Sequence, residues 1–556
     1  MDFILTLHSH LPWVLNHGRW PHGSDWLCEA ALDTYLPLLE TLEALEQAGV
    51  AAPVTLGITP VLGNQLASPA FAEEMEAFFA QRLKACDEAP ASFTVTHDEA
   101  LLPLVAYWRD RLARLQARFR RSDGDLVRAF RALEGRGRLE IISSAATHGF
   151  LPLLGRDESI RLQLRVGRAE HKRLFGRAPE GIWLPECAYR PAGRWAPPGA
   201  TPVAHRPATH EFLREAGYRF FFVDAHLAHS GAFLGQYHEV PLGAERFDAE
   251  RHDPDTKAVT GEIERSPYRA YRMPGAGRSI LAFVRDPRSS MQVWSRRQGY
   301  PGDGAYLEFH KIRWPGGLKL WRVTSGDADL GDKVAYDPAA ALARAGDHAG
   351  HFAGVLAAIA ATEKDGRVVT APFDTELFGH WWFEGVDFLG ALYRRLADGG
   401  VRPVTARAHI AAHRGARPIV QLAEGSWGAN GDFSMWMNPG TEWTWKRMWP
   451  LEDAFWSVAR GALAGEPRRT ILAQAARALL LAQASDWQFV ISTGAAADYA
   501  EKRFTQHCHD AEQMVAALRP GADDAALAAG ERLAADCRSR DDLFPDVLSQ
   551  VAEVLG

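Results

Sequence analysis

At 556 residues the chain exceeds what one hydrophobic core usually organises, so two or three domains are expected, with room for a large α/β barrel among them. Its 47% apolar and 24% charged residues exclude a disordered chain, and a net charge of −7 without a long Lys/Arg block excludes the phosphate-neutralising surface that nucleic-acid binding needs. Five cysteines (Cys28, Cys86, Cys187, Cys508 and Cys537), scattered and with no CxxC pair, argue against a disulfide framework or a thiolate zinc site and fit a reducing compartment.

The first strand is predicted over residues 3–7, ending at His8. With an acidic residue at position 2 and only a short apolar run, MDFILTLHSHLPW reads as that strand rather than as a signal peptide. No segment approaches the roughly 18 apolar residues of a membrane span, and a cytoplasmic location is expected. Residues 69–137 turn to Ala, Leu, Glu, Arg and Phe at helical spacing and read as a helical insertion. Short apolar runs at 139–142, 181–184, 219–223, 279–284 and 368–373 alternate with helix-like stretches such as 161–174 and 210–216, which predicts a parallel, barrel-like α/β core. Residues 227–274 are rich in Gly, Pro and charge and too long for a plain connection. From about Trp443 the chain is helical again. The division this predicts is a catalytic barrel domain over 1–68 and 138–422, a helical insertion over 69–137, and a C-terminal helical domain over 423–556 that contributes to the cleft.

Functional groups of a barrel gather where its strands end. The polar residues that terminate the apolar runs are His8 and His10, the segment 143–148, Glu186, Asp224, Arg285 with Asp286, and Asp374 with Glu376. Cleaving a glycosidic bond needs two carboxyl groups flanking the anomeric carbon, and Glu186 and Asp374 are candidates for them. On the residues alone either can equally cap a helix or pair with an arginine. His-x-His after a first strand, with later His and Asp, also suits a divalent-metal hydrolase, so metal and non-metal readings stay open at this level. In His507-Cys508-His509 one intervening residue puts the two histidines on different faces of a helix, against a metal there. Eighteen tryptophans, many beside Asp, Glu, His and Gly, suit the apolar faces of sugar rings as well as a core.

Five segments in order, HSHLPW (8–13), SSAATHGFLPLL (143–154), GIWLPECAYRP (181–191), APFDTELFGHWWFEG (371–385) and AEGSWGANGDFSMWMNPGTEWTW (423–445), resemble the five sequence regions of glycoside hydrolase family 57, and within it the 1,4-α-glucan branching enzymes. The likeness extends to 283–303, 318–325 and 479–504. It implies an incomplete seven-stranded (β/α) barrel with a helical insertion and a C-terminal helical domain, and a retaining mechanism with no cofactor and no metal. By matching position Glu186 is the nucleophile and Asp374 the acid/base. His8, His10 and His148 line the donor subsite, Arg285, Gly302, Trp427 and Asp486 contact glucan, and Trp294 and Trp436 are stacking platforms. The implied reaction breaks an α-1,4 bond and re-forms it as an α-1,6 branch, with α-1,4-glucan (amylose, amylopectin or glycogen) as donor and acceptor. Trp13 stands where a smaller aromatic is common, and Tyr237 in GAFLGQYHEV is the candidate for the loop tyrosine that covers the cleft. The alternatives are an α-glucan hydrolase or 4-α-glucanotransferase on the same scaffold, a metal-dependent amidohydrolase or deacetylase, and a non-catalytic glucan-binding protein.

Overall fold

The computed structural model describes residues 1–200, 203–229, 265–294, 299–314, 316–363, 367–397 and 399–556. Its organising elements are β1 (Asp2–Ser9), β2 (Val54–Ile58), β3 (Leu139–Ile142), β4 (Gly181–Ile182), β5 (Phe220–Val223), β6 (Ala270–Arg272), β7 (Leu281–Val284) and β8 (Val368–Asp374). One sheet runs β8–β1–β2–β3, all parallel, and a second pairs β4, β5 and β7 in parallel, with β6 antiparallel on β7. Among the contacts that join the sheets are a parallel bridge from Ser143 to Ile182 and a 2.8 Å bond from the Asp286 N–H to the Thr370 carbonyl. The parallel strands are buried on both faces, which is why most of them read as continuous apolar runs.

β2 escaped the sequence reading. Its five residues, VTLGI, lie between Pro53 and Pro60 and are broken by a glycine, a pattern that does not announce a strand. The glycine has a structural reason. A Cβ at Gly57 would sit 3.3 Å from His8 Nδ1, so its absence makes room for the His8 ring.

Residues 69–135 form three helices, Pro69–Thr96, Leu102–Arg121 and Leu126–Gly135, which share an aromatic core in which Phe71 meets Phe119 edge to face at 5.8 Å. They dock on the strand-end loops through Trp108, whose Nε1 donates to the Lys319 carbonyl at 2.5 Å and whose ring lies 5.2 Å from Phe383. The C-terminal helices Glu442–Ala462, Arg468–Ala482, Asp486–Thr493, Ala497–Ala517, Asp524–Arg540 and Val547–Leu555 pack against the same core. Gln163 Nε2 donates to Gln483 Oε1 at 3.0 Å, the Ser485 N–H to the His148 carbonyl at 3.1 Å, and Arg503 Nη2 to the Trp13 carbonyl at 2.6 Å. Trp13, unusual in sequence, is thereby a buried contact with these helices, its Nε1 donating to the Arg540 carbonyl at 3.0 Å. His507 is buried and His509 exposed, as their spacing on a helix predicts. No helix among the described residues is long and apolar enough to cross a membrane.

Candidate active site

The ends of β1 and β8 bring the first groups together: the strands pair in register with His8 opposite Asp374. Glu186 comes from the turn Pro185–Cys187 after β4, where Glu186 and Cys187 both have left-handed backbones (φ 59° and 49°). Such conformations cost about 1 kcal/mol or more each in a non-glycine residue and persist where neighbours hold them. Here residues 425–427 do so: Tyr189 and Gly425 exchange backbone bonds of 2.8 and 3.1 Å, and the Trp427 N–H donates to the Glu186 carbonyl at 3.0 Å. The turn thereby presents the Glu186 carboxyl to Trp427 and Ser485.

Two donors hold that carboxyl. Trp427 Nε1 donates to Oε2 at 2.9 Å and Ser485 Oγ donates to Oε1 at 2.7 Å. Because Ser485 spends its single proton on the carboxylate, its oxygen accepts from His148 Nδ1–H at 3.0 Å. His148 Nε2 then accepts from His8 Nε2–H, also at 3.0 Å, and His8 Nδ1 is left as the unprotonated, unpartnered nitrogen. Every donor in this chain points toward Glu186. Trp183 floors it, stacked on His8 with ring centroids 4.7 Å apart.

Burial pushes the pKa values of His8 and His148 well below the ordinary histidine range, with the His10 charge adding to the effect, so both are neutral. Burial opposes the charge on His10 as well, but there Asp486, with oxygens 2.9 and 3.0 Å from Nε2, prevails and raises the pKa. The Glu186 carboxyl is raised by burial, against which the Ser485 and Trp427 hydrogen bonds work. Asp374 is pushed well above the usual carboxylate range by burial first, then by the Glu376 and Glu186 carboxyls, with only Arg285 in opposition. Glu376, whose Oε1 accepts from the Tyr35 hydroxyl, is itself pushed up to about 7, mainly by burial. The environment thus separates one hydrogen-bonded carboxylate from one carboxylic acid, the pattern that acid/base division of labour requires.

Arg285 is buried, its Nη1 donating to Asp224 Oδ2 at 2.9 Å and its guanidinium lying 5.1 Å from the Trp294 ring centre. Trp294 in turn meets Trp427 edge to face at 5.4 Å. Trp436 differs from expectation: it is fully buried, stacked on Phe150 at 4.6 Å, and a Cβ on Gly428 would strike it at 2.5 Å. With no open face it packs in the core and offers no platform to a sugar. Trp427 is likewise buried, and its N–H rather than its face does the work. Gly302 ends the turn Tyr300–Gly302, whose Tyr300 stacks on His348 at 4.4 Å, and no hydrogen bond among the described residues joins it to the Glu186 group. Tyr237 lies outside the described residues.

Ser485 and Tyr35 were not singled out from sequence. Ser485 occupies the N-cap position of the helix Asp486–Thr493, where sequence suggests only a cap, yet its side chain caps nothing, being committed to Glu186.

Among the described residues, two groups of side chains have ligand atoms close enough for a metal. His10, His148 and Asp486 converge within 4.8 Å, but their nitrogens and oxygens are engaged in the hydrogen bonds above. Asp2, His409 and His413 do so at the opposite end of β1, where Arg402 already binds the other Asp2 oxygen at 2.7 Å.

The sequence pattern of glycosyl hydrolase family 57 matches residues 4–421, most of the chain. The chain belongs to glycosyl hydrolase family 57. A further pattern, described as 1,4-alpha-glucan branching enzyme, C-terminal, matches residues 450–551. Within family 57, a 1,4-alpha-glucan branching enzyme of Thermococcus kodakarensis is 39% identical over 531 residues, 94% of this chain and 75% of its own. The crystal structure of the family 57 branching enzyme from that archaeon, in complex with glucose and additives, has a TM-score of 0.87 at 36% identity and covers 99% of this chain and 96% of its own. The α-amylase AmyC from Thermotoga maritima has a TM-score of 0.78 at 27% identity, covering 99% of each chain.

Proposed function

We propose that this family 57 protein is a cytoplasmic 1,4-α-glucan branching enzyme, a retaining transglycosylase that takes α-1,4-glucan as donor and acceptor. The observation that carries the reading is the holding of Glu186 by Trp427 and Ser485, together with the branching-enzyme pattern that covers Ser485 and Asp486. Residues 1–68 and 138–422 form the catalytic domain, 69–137 the insertion and 423–556 the helical domain that closes the cleft. Seven parallel strands, β8, β1, β2, β3, β4, β5 and β7, make an incomplete barrel, a reading supported by the contacts that join the sheets.

Glu186 attacks the anomeric carbon while Asp374 protonates the leaving glycosidic oxygen, giving a glucosyl ester on Glu186. Asp374, now a carboxylate, takes the proton of an acceptor 6-hydroxyl, which displaces Glu186 and creates the α-1,6 branch. Two inversions retain the α configuration. Neutral His8 and His148, cationic His10 with Asp486, and Arg285 with Trp294 bind the donor chain.

The amylase on the same scaffold makes transfer against hydrolysis the point to test. Incubation with amylose is expected to produce new α-1,6 linkages in excess of new reducing ends. Reducing ends without branches would assign a hydrolase, and activity lost to a chelator and restored by a divalent metal would assign the metallohydrolase class.

The pH dependence follows from the coupled carboxyls. Activity needs Asp374 protonated, so its deprotonation sets the alkaline limb of kcat/KM. An ionised Glu376 disfavours a second negative charge and raises the Asp374 pKa. Glu376→Gln removes that charge, so the Asp374 pKa falls and the alkaline limb moves to lower pH. An unmoved limb in the variant's pH–rate profile would disprove the coupling.

A further inference from the structure

β1 carries a second cluster of ligating side chains at the end remote from His8, about 20 Å away along the strand. There Asp2 is buried, and its carboxylate gathers three groups from a distant part of the chain. The strand Arg402–Pro403 pairs in parallel with β1, Asp2 opposite Arg402, and the helix Ala406–Ala412 follows it. Arg402 Nε and Nη2 both donate to Asp2 Oδ1, at 2.8 and 2.7 Å. Oδ2 is left to two imidazoles: His409 Nδ1 lies 2.7 Å from it and His413 Nε2 3.1 Å. The two histidines are four residues apart, so one helical turn sets them on the same face, with ring centroids 4.5 Å apart.

The helix that presents the histidines is fixed at its start. Thr405 caps it, its Oγ1 accepting from the Ala408 N–H at 3.2 Å, while the Ala406 N–H donates to Thr55 Oγ1 at 3.0 Å and the Arg407 N–H to Glu140 Oε2 at 2.8 Å. Phe283 stands edge-on to the His409 ring at 5.9 Å. His409 is buried, whereas the His413 side chain is 35% exposed and gives the cluster its opening to water. Burial opposes the charge on Asp2, but the bonds from His409 and Arg402 outweigh it and hold the carboxyl down at about 2. Burial lowers the His409 pKa, so that ring is neutral at neutral pH. An ionised carboxylate beside neutral imidazole is the state in which these groups bind a metal.

Asp2 Oδ2, His409 Nδ1 and His413 Nε2 lie within 4.8 Å of one another, and both nitrogens spend their hydrogen bonds on Oδ2. A cation among them breaks only bonds that the three ligands make to each other, and each imidazole keeps its one proton on its other ring nitrogen. His10, His148 and Asp486 differ in this respect, since both nitrogens of His148 are bonded outside that group, to His8 and Ser485. Two imidazoles and a carboxylate, with water from the open side, make a four-coordinate set for zinc, and Arg402 on the second carboxylate oxygen is the outer partner that orients it. The charges of Arg402 and of Arg417, which also acts on His409, leave little gain for an ion held by charge alone, so calcium and magnesium are disfavoured against an ion that imidazole nitrogen binds. We propose that Asp2, His409 and His413 bind an exchangeable zinc ion that pins the start of β1 to the helix Ala406–Ala412. The ion stabilises the strand whose far end carries His8 and takes no part at Glu186 and Asp374, so the inference is independent of the glucan reading.

The test uses the full chain, freed of metal by a chelator that is then dialysed away. Zinc uptake at equilibrium and the thermal midpoint are compared for the parent and for His413→Gln, a change at the most exposed of the three ligands. The parent is expected to take up one zinc ion per chain and, at free zinc a hundredfold above Kd, to gain about 3 °C in midpoint. Calcium and magnesium should leave the midpoint where it is. His413→Gln should match the parent's metal-free midpoint, take up no zinc and show no rise. Cobalt(II) in place of zinc reads the ligands directly, with the intense visible bands of a four-coordinate ion expected in the parent. A parent that takes up no zinc overturns the inference, and so does a His413→Gln variant that takes up as much as the parent, since the ion then lies elsewhere. If His413→Gln does not fold, the cobalt spectrum of the parent decides: the pale bands of a six-coordinate ion overturn the site.

Discussion

Glu186→Gln and Asp374→Asn are each expected to lower glucan turnover by about three orders of magnitude or more, with little change in thermal midpoint. Both amides are nearly isosteric with the groups they replace. A glutamine at 186 keeps one oxygen for the Trp427 N–H and presents its NH₂ to Ser485 Oγ, so the strained turn retains its supports. What it loses is nucleophilicity, and with it the ester intermediate. Asparagine at 374 cannot donate a carboxylic proton to the leaving oxygen or remove one from the acceptor, so both half-reactions fail. The two losses should not add, because each variant already disables the same pair. Activity within about tenfold of the parent in either variant would refute the assignment. The Asp374 lesion should also be the more forgiving with activated donors whose leaving group departs unprotonated, a distinction that separates acid from nucleophile.

Much of this arrangement was legible from the residues, for reasons the structure makes physical. Strands buried on both faces appear as unbroken apolar runs, so the segments leading to His8, Glu186, Asp224, Arg285 and Asp374 could be found, and the rule that function gathers at strand ends led to side chains that the structure brings close together. The aromatic residues were less readable. A tryptophan has the same letter whether its face, its N–H or its bulk is in use, and those are separated only by what lies around it: Trp427 uses its N–H on Glu186, Trp436 its bulk against Phe150, and Trp20 and Trp314 show their faces to water. Ser485 was hidden for a related reason. Its partner Glu186 is 299 residues away, and no local pattern encodes a bond that exists only after the C-terminal helices dock on the strand ends.

Ser485→Ala is expected to lower kcat by about one to two orders of magnitude with little change in KM, the loss appropriate to a positioning hydrogen bond to an ionised group. The hydroxyl is the last donor in the sequence His8, His148, Ser485, Glu186, and in each link the proton lies toward the carboxylate. Removing it takes one of two donors from Glu186 and leaves His148 Nδ1–H facing that carboxyl across 3.5 Å, too far for a good replacement. The side-chain hydrogen bond from Ser485 is one of the influences that lower the Glu186 pKa against the burial that raises it. Without it the carboxylate becomes more basic. Since Glu186 must be ionised to attack, the acidic limb of kcat/KM should move to higher pH, so activity on the acid side is lost sooner than in the parent. Trp427→Phe, which removes the other donor but keeps most of the ring, should move the same limb in the same direction. Ser485→Thr retains a hydroxyl and should recover most of the rate. A merely structural serine would lower stability or protein yield without moving that limb. A variant with the parent's kcat and an unmoved acidic limb would show that Trp427 alone suffices to hold the nucleophile.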